Sequence, residues 1–361
     1  DVPHIGHARS AYIFDVLRRY LTYRTYQVTF VRNVTDVDDK ITEKARQEPG
    51  SASLQEKCQA VAQRYLAAYH ETMDRLSIAR PDIEPKATEH VSPEMTDLIS
   101  TLLMQGAAYE AKDGVYFAVR KFNGYGTLSN RTLDELQTGT RIDPGEQKQD
   151  PLDFALWKAA KPDEPSWPSP WGKGRPGWHI ECSAMSTKYL GDTFDIHCGG
   201  VDLIFPHHEN EIAQAQAAGK PFANYWIHNG LLTVKGEKMS KSLENYMTVE
   251  QALKVYPHPD YLKIFFLKTH YRSPIDYAAE RMDEAKKNWQ EFSRFFQHCD
   301  QMNVHAVSGP TAPAEIAAHL KQFQDAMDED LNTPKALAAL FDLVNLGHQV
   351  LESGGKEKHF L

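Results

Sequence analysis

The sequence predicts an α/β protein that carries an α+β insertion and ends in a helical bundle. Three observations indicate this class. Helix-like and strand-like segments alternate at residues 10–31 and again at 193–217, which is typical of α/β folds. Strand-like alternation of side chains at residues 114–119 interrupts that order. From about residue 276 to residue 351, apolar residues recur at three- to four-residue spacing, as in packed helices.

Size and composition limit the kind of protein. A chain of 361 residues can bury two or three separate cores. The hydrophobic fraction of 41% and the charged fraction of 25% are those of soluble globular proteins, and no window reaches the roughly 18 uninterrupted apolar residues of a membrane span. The first residues lack the basic and apolar parts of a signal peptide. We therefore expect a cytoplasmic protein with no membrane partner.

Charge and cysteine usage narrow the class further. The net charge of -9 argues against a general nucleic-acid binder, so any RNA-binding surface would have to be local. The four cysteines are scattered along the chain rather than spaced as a disulfide framework. We expect free thiols or a metal ligand.

The first half of the chain begins with a loop that opens a helix at residues 10–23. A buried strand is predicted at residues 27–31, and a second helix at 54–76. A short helix at 94–105 and the strand-like residues 114–119 then form the predicted insertion. These elements account for the chain up to about residue 150.

The next segment returns the chain to the α/β pattern. The stretch 161–177 is rich in proline and glycine, which predicts a loop that leads back to a site. Residues 193–198 predict a strand, and Pro206 is expected at the first position of a helix that runs to Ala217. Five segments are therefore predicted: 1–90 and 161–230 as halves of one α/β domain, 91–160 as the insertion, 231–275 as a loop region, and 276–361 as the bundle.

The motif His4-Ile5-Gly6-His7 stands directly before the first predicted helix. Two imidazoles separated by a glycine can approach phosphate closely, because Gly6 has no side chain and the helix start carries positive partial charge. The motif indicates a nucleotide site. Taken alone, it is also compatible with two loop histidines of no consequence.

A second motif, Lys238-Met239-Ser240-Lys241-Ser242, would place two ammonium groups near one polyphosphate. Taken alone, it is compatible with a solvated charged loop. Together, in this order and at this separation, the two motifs resemble the paired signatures of class I aminoacyl-tRNA synthetases. The resemblance implies a Rossmann-like catalytic domain with a parallel sheet, and ATP-binding roles for His4, Gly6, His7, Lys238 and Lys241.

A third group of residues is typical of a metal site. His207 and Glu211 are four apart on a predicted helix, so they share a face, and Cys182 comes from another segment. Thiolate, imidazole and carboxylate suit Zn²⁺. A core cysteine with two surface neighbours is an equal alternative on spacing alone. The adjacent His208 and Glu209 complicate the assignment, because periodicity cannot by itself decide which histidine turns inward.

Residues 199–211 resemble the corresponding stretch of cysteinyl-tRNA synthetases almost residue for residue. The resemblance implies that Cys182, His207 and Glu211 bind zinc. It further implies that Trp178 and Thr35 contact the substrate and that Gly200, Asp202 and His228 bind ATP. Packing is the alternative for Trp178 and Thr35, and an ordinary strand-end carboxylate is the alternative for Asp202. His179 and His197 are expected beside the zinc ligands, not among them.

One departure from the family concerns its fourth zinc ligand, a cysteine about ten residues before the His-Ile-Gly-His motif. This chain begins three residues before that motif, so we expect a sequence truncated at both ends, without that ligand and without a C-terminal anticodon-reading part. The resemblance implies the substrates L-cysteine, ATP with Mg²⁺ and tRNA(Cys), with His4, His7, Lys238 and Lys241 as catalytic residues, and a monomer.

Two other functions are compatible with parts of this sequence. The cysteine ligase of mycothiol synthesis shares this fold, zinc site and adenylation, but the run from His197 to Asp202 and the helical bundle fit the synthetase better. A catalytically silent RNA-binding paralogue is disfavoured by the intact signature motifs and zinc residues.

Overall fold

The computed structural model describes residues 2–137, 147–239, 245–302 and 314–352. The chain divides into two compact units, each built from separate stretches of sequence. The first unit contains Thr29–His70 and Arg80–Ile227, and the second contains Val2–Val28, Glu71–Ala79 and His228–Leu361. The predicted five-segment division stays a prediction.

The α-helices are α1 (Ile5–Tyr23), α2 (Asp39–Gln47), α3 (Leu54–Arg75), α4 (Thr96–Met104), α5 (Leu133–Gln137), α6 (Trp178–Leu190), α7 (Glu209–Ala217), α8 (Val249–Val255), α9 (Pro259–Leu267), α10 (Ala279–Gln301), α11 (Ala314–Asp328) and α12 (Thr333–Glu352). The strands are β1 (Ala108–Ala111), β2 (Gly114–Phe117), β3 (Phe154–Ala159), β4 (Gly174–Pro176), β5 (Thr193–Gly200), β6 (Phe222–Asn229), β7 (Leu232–Val234), β8 (Glu237–Lys238) and β9 (Ile275–Tyr277). Shorter helical turns occupy Ala87–Glu89, Val91–Met95, Val119–Lys121, Val201–Leu203 and Ile204–His208.

The first unit is organised around an antiparallel sheet in the order β1-β2-β3-β4. The strand-like residues of the predicted insertion form β2, whose side chains are all buried. Gly114 at the start of β2 has φ +152°, and a Cβ there would lie 2.0 Å from the main-chain oxygen of Trp157. Only glycine allows β2 and β3 to approach this closely, so this residue determines the sheet's packing.

The proline-rich stretch contains a strand that the sequence prediction missed. Residues 174–176 form β4 at the edge of the sheet, where Pro176 is tolerated because its missing N–H is not needed by a further strand. The rest of the stretch is irregular, as predicted. The chain passes from β4 through Gly177 directly into α6, so this edge strand positions the start of α6.

The strand predicted at residues 27–31 does not form as a continuous element. Val31 makes an isolated parallel bridge with Ile83, and Val34 makes another with Lys86. Main-chain bonds run from Arg32 N to Ile83 O and from Val34 N to Pro85 O. Because Pro85 has no N–H, it cannot donate a return bond, and the ladder is interrupted.

The second unit combines a small sheet with helices. Its sheet has the order β8-β7-β9, and β7 and β9 are parallel. Helix α1 packs against α8, α9 and β7. Helix α12 packs against α9, α10 and α11, and α10 also packs against α9. Residues 276 and 277, expected to begin the helical bundle, lie instead in β9. Within the four described stretches, no helix combines the length and the apolar character needed to cross a membrane.

Candidate metal and nucleotide sites

Helix α6 carries Cys182 in its second turn, in the first unit. The thiol is buried, with 7% of the residue exposed. Burial raises the pKa of Cys182 well above its usual range, and the neighbouring carboxylates of Glu211 and Glu181 add to the effect. A cation at this position would be needed to hold the sulfur as a thiolate.

His207 and Glu211 lie on either side of the start of α7. The helix α7 begins at Glu209, three residues after Pro206, and it follows the turn Ile204–His208, in which Phe205 is extended (φ -134°, ψ 132°). The four-residue spacing nevertheless brings His207 Nε2 to 3.0 Å from Glu211 Oε1. The ligand atoms of Cys182, His207 and Glu211 all lie within 4.8 Å of one another, and all three residues are buried.

The carboxylate of Glu211 shows that this group of residues fits a cation. Glu211 is 0% exposed, and neither of its oxygens accepts a well-aligned hydrogen bond from the described residues. Burial alone would raise the pKa of this carboxyl, but the imidazoles of His197 and His207 outweigh burial and lower it to about 2. A buried, ionised carboxylate whose oxygens lack well-aligned hydrogen bonds would be stabilised by a metal ion. Together with one thiol and one imidazole, the donor set suits Zn²⁺.

The structure separates Glu209 from Glu211, which the sequence could not do. Glu209 accepts main-chain N–H groups of Gly126 and Ser129, each at 2.9 Å. It is fully buried and anchors that loop. The carboxylate of Glu209 therefore binds main-chain N–H groups, whereas the carboxylate of Glu211 lies beside Cys182 and His207.

Both neighbouring histidines reach Glu211. His208, His197 and Glu211 form a second group whose ligand atoms lie within 4.8 Å of one another. The ring of His208 also lies against Gly199, where a Cβ would be 2.5 Å from its Cε1 atom. Of the two histidines, His207 is grouped with the thiol of Cys182, so it completes the sulfur-containing set.

His179 and Trp178 surround the ring of His207. His179 Nδ1 lies 2.8 Å from His207 Nδ1, and burial followed by the effect of His207 lowers the pKa of His179 to about 3. The Trp178 ring stacks on His207 with centroids 4.1 Å apart and planes at 24°, while 47% of Trp178 remains exposed. Trp178 thus presents an accessible aromatic face beside the predicted metal ligands.

Thr35 is connected to the same region through Glu181, which the sequence analysis did not single out. The Thr35 hydroxyl donates to the carboxylate of Glu181, the residue before Cys182. Glu181 is 1% exposed, and burial followed by repulsion from Asp36 raises its pKa well above the usual range. The sequence signal for Glu181 was its position directly before Cys182. Its burial is visible only in the structure.

Gly200 and Asp202 lie at the end of β5 and in the turn that follows it. A Cβ on Gly200 would be 2.7 Å from Asp202 Oδ1, so the glycine leaves room for that carboxylate. Asp202 itself is exposed. A nucleotide-binding role for both stays a prediction.

The second unit contains the His4-Ile5-Gly6-His7 motif. The helix begins at Ile5, earlier than predicted, and the motif forms its N-terminal cap. His4 Nδ1 accepts the N–H groups of Gly6 at 3.1 Å and His7 at 3.2 Å, while His7 Nδ1 accepts the N–H of His4 at 3.4 Å. Because each Nδ1 is an acceptor, each neutral ring carries its proton on Nε2.

The two rings act as hydrogen-bond donors rather than cations at neutral pH. They stack with centroids 3.6 Å apart. Burial, together with the effect of His7 on His4, lowers the pKa of each to about 4. Gly6 is required here, since a Cβ would lie 2.9 Å from the His4 ring. The helix start therefore offers two Nε2–H groups beside a main chain without a side chain, as a phosphate site needs.

Residues within and just after the second signature motif contact the start of α1. Met239 lies beside Gly6, 3.1 Å from the position of an added Cβ. Tyr246 contacts the His4 ring edge-on, and Ile5 N donates to Met247 O at 3.1 Å. Lys241 lies outside the described residues, as does the side chain of Lys238 in β8. His228 lies near the end of β6, in the same unit.

Fold and site together define a class I aminoacyl-tRNA synthetase catalytic domain. Solved structures with this fold include methionyl-tRNA synthetase of Mycobacterium tuberculosis bound by methionyl-adenylate, with TM-score 0.70 and 15% identity over 98% of this chain and 81% of that chain. Thermus thermophilus arginyl-tRNA synthetase has TM-score 0.60 and 15% identity over 97% and 72%. The family described as tRNA synthetases class I (C) catalytic domain matches residues 1–287, and the DALR domain matches residues 322–358. The predicted fold class is confirmed.

Curated relatives narrow the class. The cysteine–tRNA ligase of Nitratidesulfovibrio vulgaris is 52% identical over 99% of this chain and 74% of the relative, and that of Thermodesulfovibrio yellowstonii is 50% identical over 100% and 75%. The chain belongs to the cysteine–tRNA ligase family. It spans about three quarters of the length of these relatives. This membership confirms the predicted family and enzyme class, and favours the synthetase over the mycothiol ligase.

Proposed function

We propose that this protein activates L-cysteine with ATP to form cysteinyl-adenylate and then transfers the cysteinyl group to tRNA(Cys). The observation that carries this proposal is the buried convergence of Cys182, His207 and Glu211 within 4.8 Å. A thiolate-binding metal distinguishes cysteine from serine, which differ by one atom and are hard to separate by shape alone.

Cys182, His207 and Glu211 would hold the zinc ion. When bound, zinc supplies a soft Lewis acid that prefers a substrate thiolate to a hydroxyl. His179 orients the His207 ring through the 2.8 Å contact between their Nδ1 atoms. Trp178, stacked on His207, covers one side of the substrate, and Thr35, held by Glu181, contacts its amino or main-chain groups.

ATP, accompanied by Mg²⁺, is bound by separate groups of residues. His4 and His7 donate from Nε2 to phosphate oxygens, Gly6 permits close approach, and Lys238 and Lys241 supply positive charge. His228 lines the adenine side, while Gly200 and Asp202 receive the ribose. Two neutral donors and two cations meet the negative charge that develops on the phosphate.

The chemistry needs little acid–base catalysis. The cysteine carboxylate attacks the α-phosphorus in line, the bond to the bridging oxygen breaks, and pyrophosphate leaves with that electron pair. A hydroxyl of the terminal ribose of tRNA then attacks the carbonyl carbon of the mixed anhydride and releases AMP. The residues act mainly by positioning and by stabilising charge. We also propose that the protein works in the cytoplasm as a monomer.

An ATP–pyrophosphate exchange assay with cysteine and with serine tests this function, together with charging of tRNA(Cys) and zinc analysis. Cys182→Ser should lose bound zinc and discrimination against serine. Cys58→Ser is the matched control, because Cys58 is also a buried thiol of the first unit but contacts Thr42 instead of the ligand group. Exchange that serine supports as well as cysteine in the unaltered protein would refute the proposal.

A further inference from the structure

Arg9 is a fully buried arginine on α1, two residues after His7. It is 0% exposed. Its hydrogen bonds go to four main-chain carbonyl oxygens instead of a carboxylate. Nη1 donates to Gly230 O at 2.7 Å and Leu231 O at 2.9 Å, and Nη2 donates to Tyr271 O at 3.3 Å and Ser273 O at 2.7 Å.

This arrangement costs folding free energy. A buried guanidinium loses its hydration, and the pKa of Arg9 is lowered to about 10 by burial. The Nε atom finds no partner among the described residues. The side chain remains charged at neutral pH, and among the described residues its hydrogen-bond acceptors are the four carbonyl oxygens.

The four carbonyls belong to two segments that touch each other. Gly230 N donates to Tyr271 O at 2.7 Å, and Ile275 N donates to Leu231 O at 3.0 Å. A Cβ on Gly230 would lie 2.4 Å from Ser273 O, so no larger residue fits. Arg9 therefore fastens both segments to α1 at the point where they meet.

The same helix holds the neighbouring residue of the first segment. The Ser10 hydroxyl donates to Asn229 Oδ1 at 2.9 Å, and Asn229 Nδ2 donates to Gly230 O at 3.1 Å. His228, assigned above to the adenine side of ATP, directly precedes Asn229 and Gly230. The consecutive α1 residues Arg9 and Ser10 thus hydrogen-bond to residues 229–231, which follow His228. His4 and His7, at the start of the same helix, are those proposed to bind the phosphates.

We propose that Arg9 is a positioning residue for ATP: it sets the distance between the adenine segment 228–231 and the phosphate-binding start of α1. This inference rests on the proposed function for the assignment of these two segments to ATP. A guanidinium suits the task because it is planar and presents several N–H groups in a fixed fork, whereas lysine presents one flexible ammonium. Arg9→Lys keeps the charge and loses this geometry.

The test measures ATP and cysteine separately. For Arg9→Lys, we expect kcat/KM for ATP in pyrophosphate exchange to fall about 10- to 100-fold, with most of the change in KM for ATP. KM for cysteine should stay within about twofold, because the residues proposed to bind cysteine belong to the first unit. Arg19→Lys is the matched control: Arg19 lies on α1 but is mostly exposed and pairs with Asp15.

Binding of ATP alone, measured by calorimetry without an amino acid, separates this inference from the proposed function. A wild-type protein that binds ATP but does not activate cysteine refutes the function, and Arg9 is still tested by the change in ATP affinity. If Arg9→Lys does not fold, Ser10→Ala removes the hydrogen bond from α1 to Asn229 in the same segment and should also weaken ATP binding. A lower melting temperature with unchanged KM values for both substrates would overturn the proposal, as would an equal rise in both.

Discussion

The ring of Trp178 stacks on the ring of His207 with centroids 4.1 Å apart, so an exposed aromatic side chain lies directly against a buried predicted zinc ligand. This contact links the predicted substrate pocket to the metal group. His207 is in turn held by Glu211 and His179. Its environment suggests that changes at Trp178 should affect substrate binding without removing the metal ligands.

Replacing Trp178 by alanine should raise KM for cysteine about 10-fold or more, because an apolar contact of this kind contributes about 1–3 kcal/mol to substrate discrimination. Zinc content should not change. Trp178→Phe keeps an aromatic face and serves as the control. Steady-state exchange kinetics with metal analysis measure both quantities, and an unchanged KM in the alanine variant would show that Trp178 only packs against His207.

Glu211→Gln should reduce zinc affinity by at least about 100-fold, since changes to residues merely supporting a metal ligand already cost 10- to 100-fold. Competition with a chromophoric chelator gives the affinity. Glu209→Gln is the comparison, because that carboxylate binds the N–H groups of Gly126 and Ser129. It should lower thermal stability and leave the zinc ligands in place. Zinc loss in Glu209→Gln but not in Glu211→Gln would reverse the ligand assignment.

Acidification should destabilise the start of α1. Burial lowers the pKa of His4 and His7 from 6.5 to about 4, so the folded protein binds fewer protons than the unfolded chain between these values. Their contribution to stability is therefore complete above about pH 6.5 and is lost as the pH falls towards 4. His7→Asn removes one of these groups and keeps a side chain able to accept a hydrogen bond.

The measurement is the melting temperature at pH 7 and at pH 5. The decrease between the two should be smaller in His7→Asn than in the unaltered protein. Other histidines with lowered pKa values, such as His179, contribute equally to both proteins and cancel in the comparison. A larger decrease in the variant would contradict the assigned direction of the pKa shift.

Local pattern predicted those features that depend on neighbouring residues. The four-residue spacing of His207 and Glu211 was sufficient to place their side chains together, and side-chain alternation at residues 114–119 predicted a strand that forms at Gly114–Phe117. Prediction was wrong where distant residues decide the outcome. The strand at 27–31 depends on a partner that contains Pro85, and β4 forms only because β3 offers it an edge.

The sequence by itself determined the family, the signature motifs and the residue types of the metal group, because these are properties of composition and spacing. Only the tertiary structure shows that Glu209 accepts N–H groups of a loop remote in sequence, whereas Glu211 lies beside Cys182 and His207. It alone revealed Arg9, whose four carbonyl partners come from segments more than two hundred residues away. Burial and hydrogen bonding across such separations depend on the folded chain, and no local periodicity encodes them.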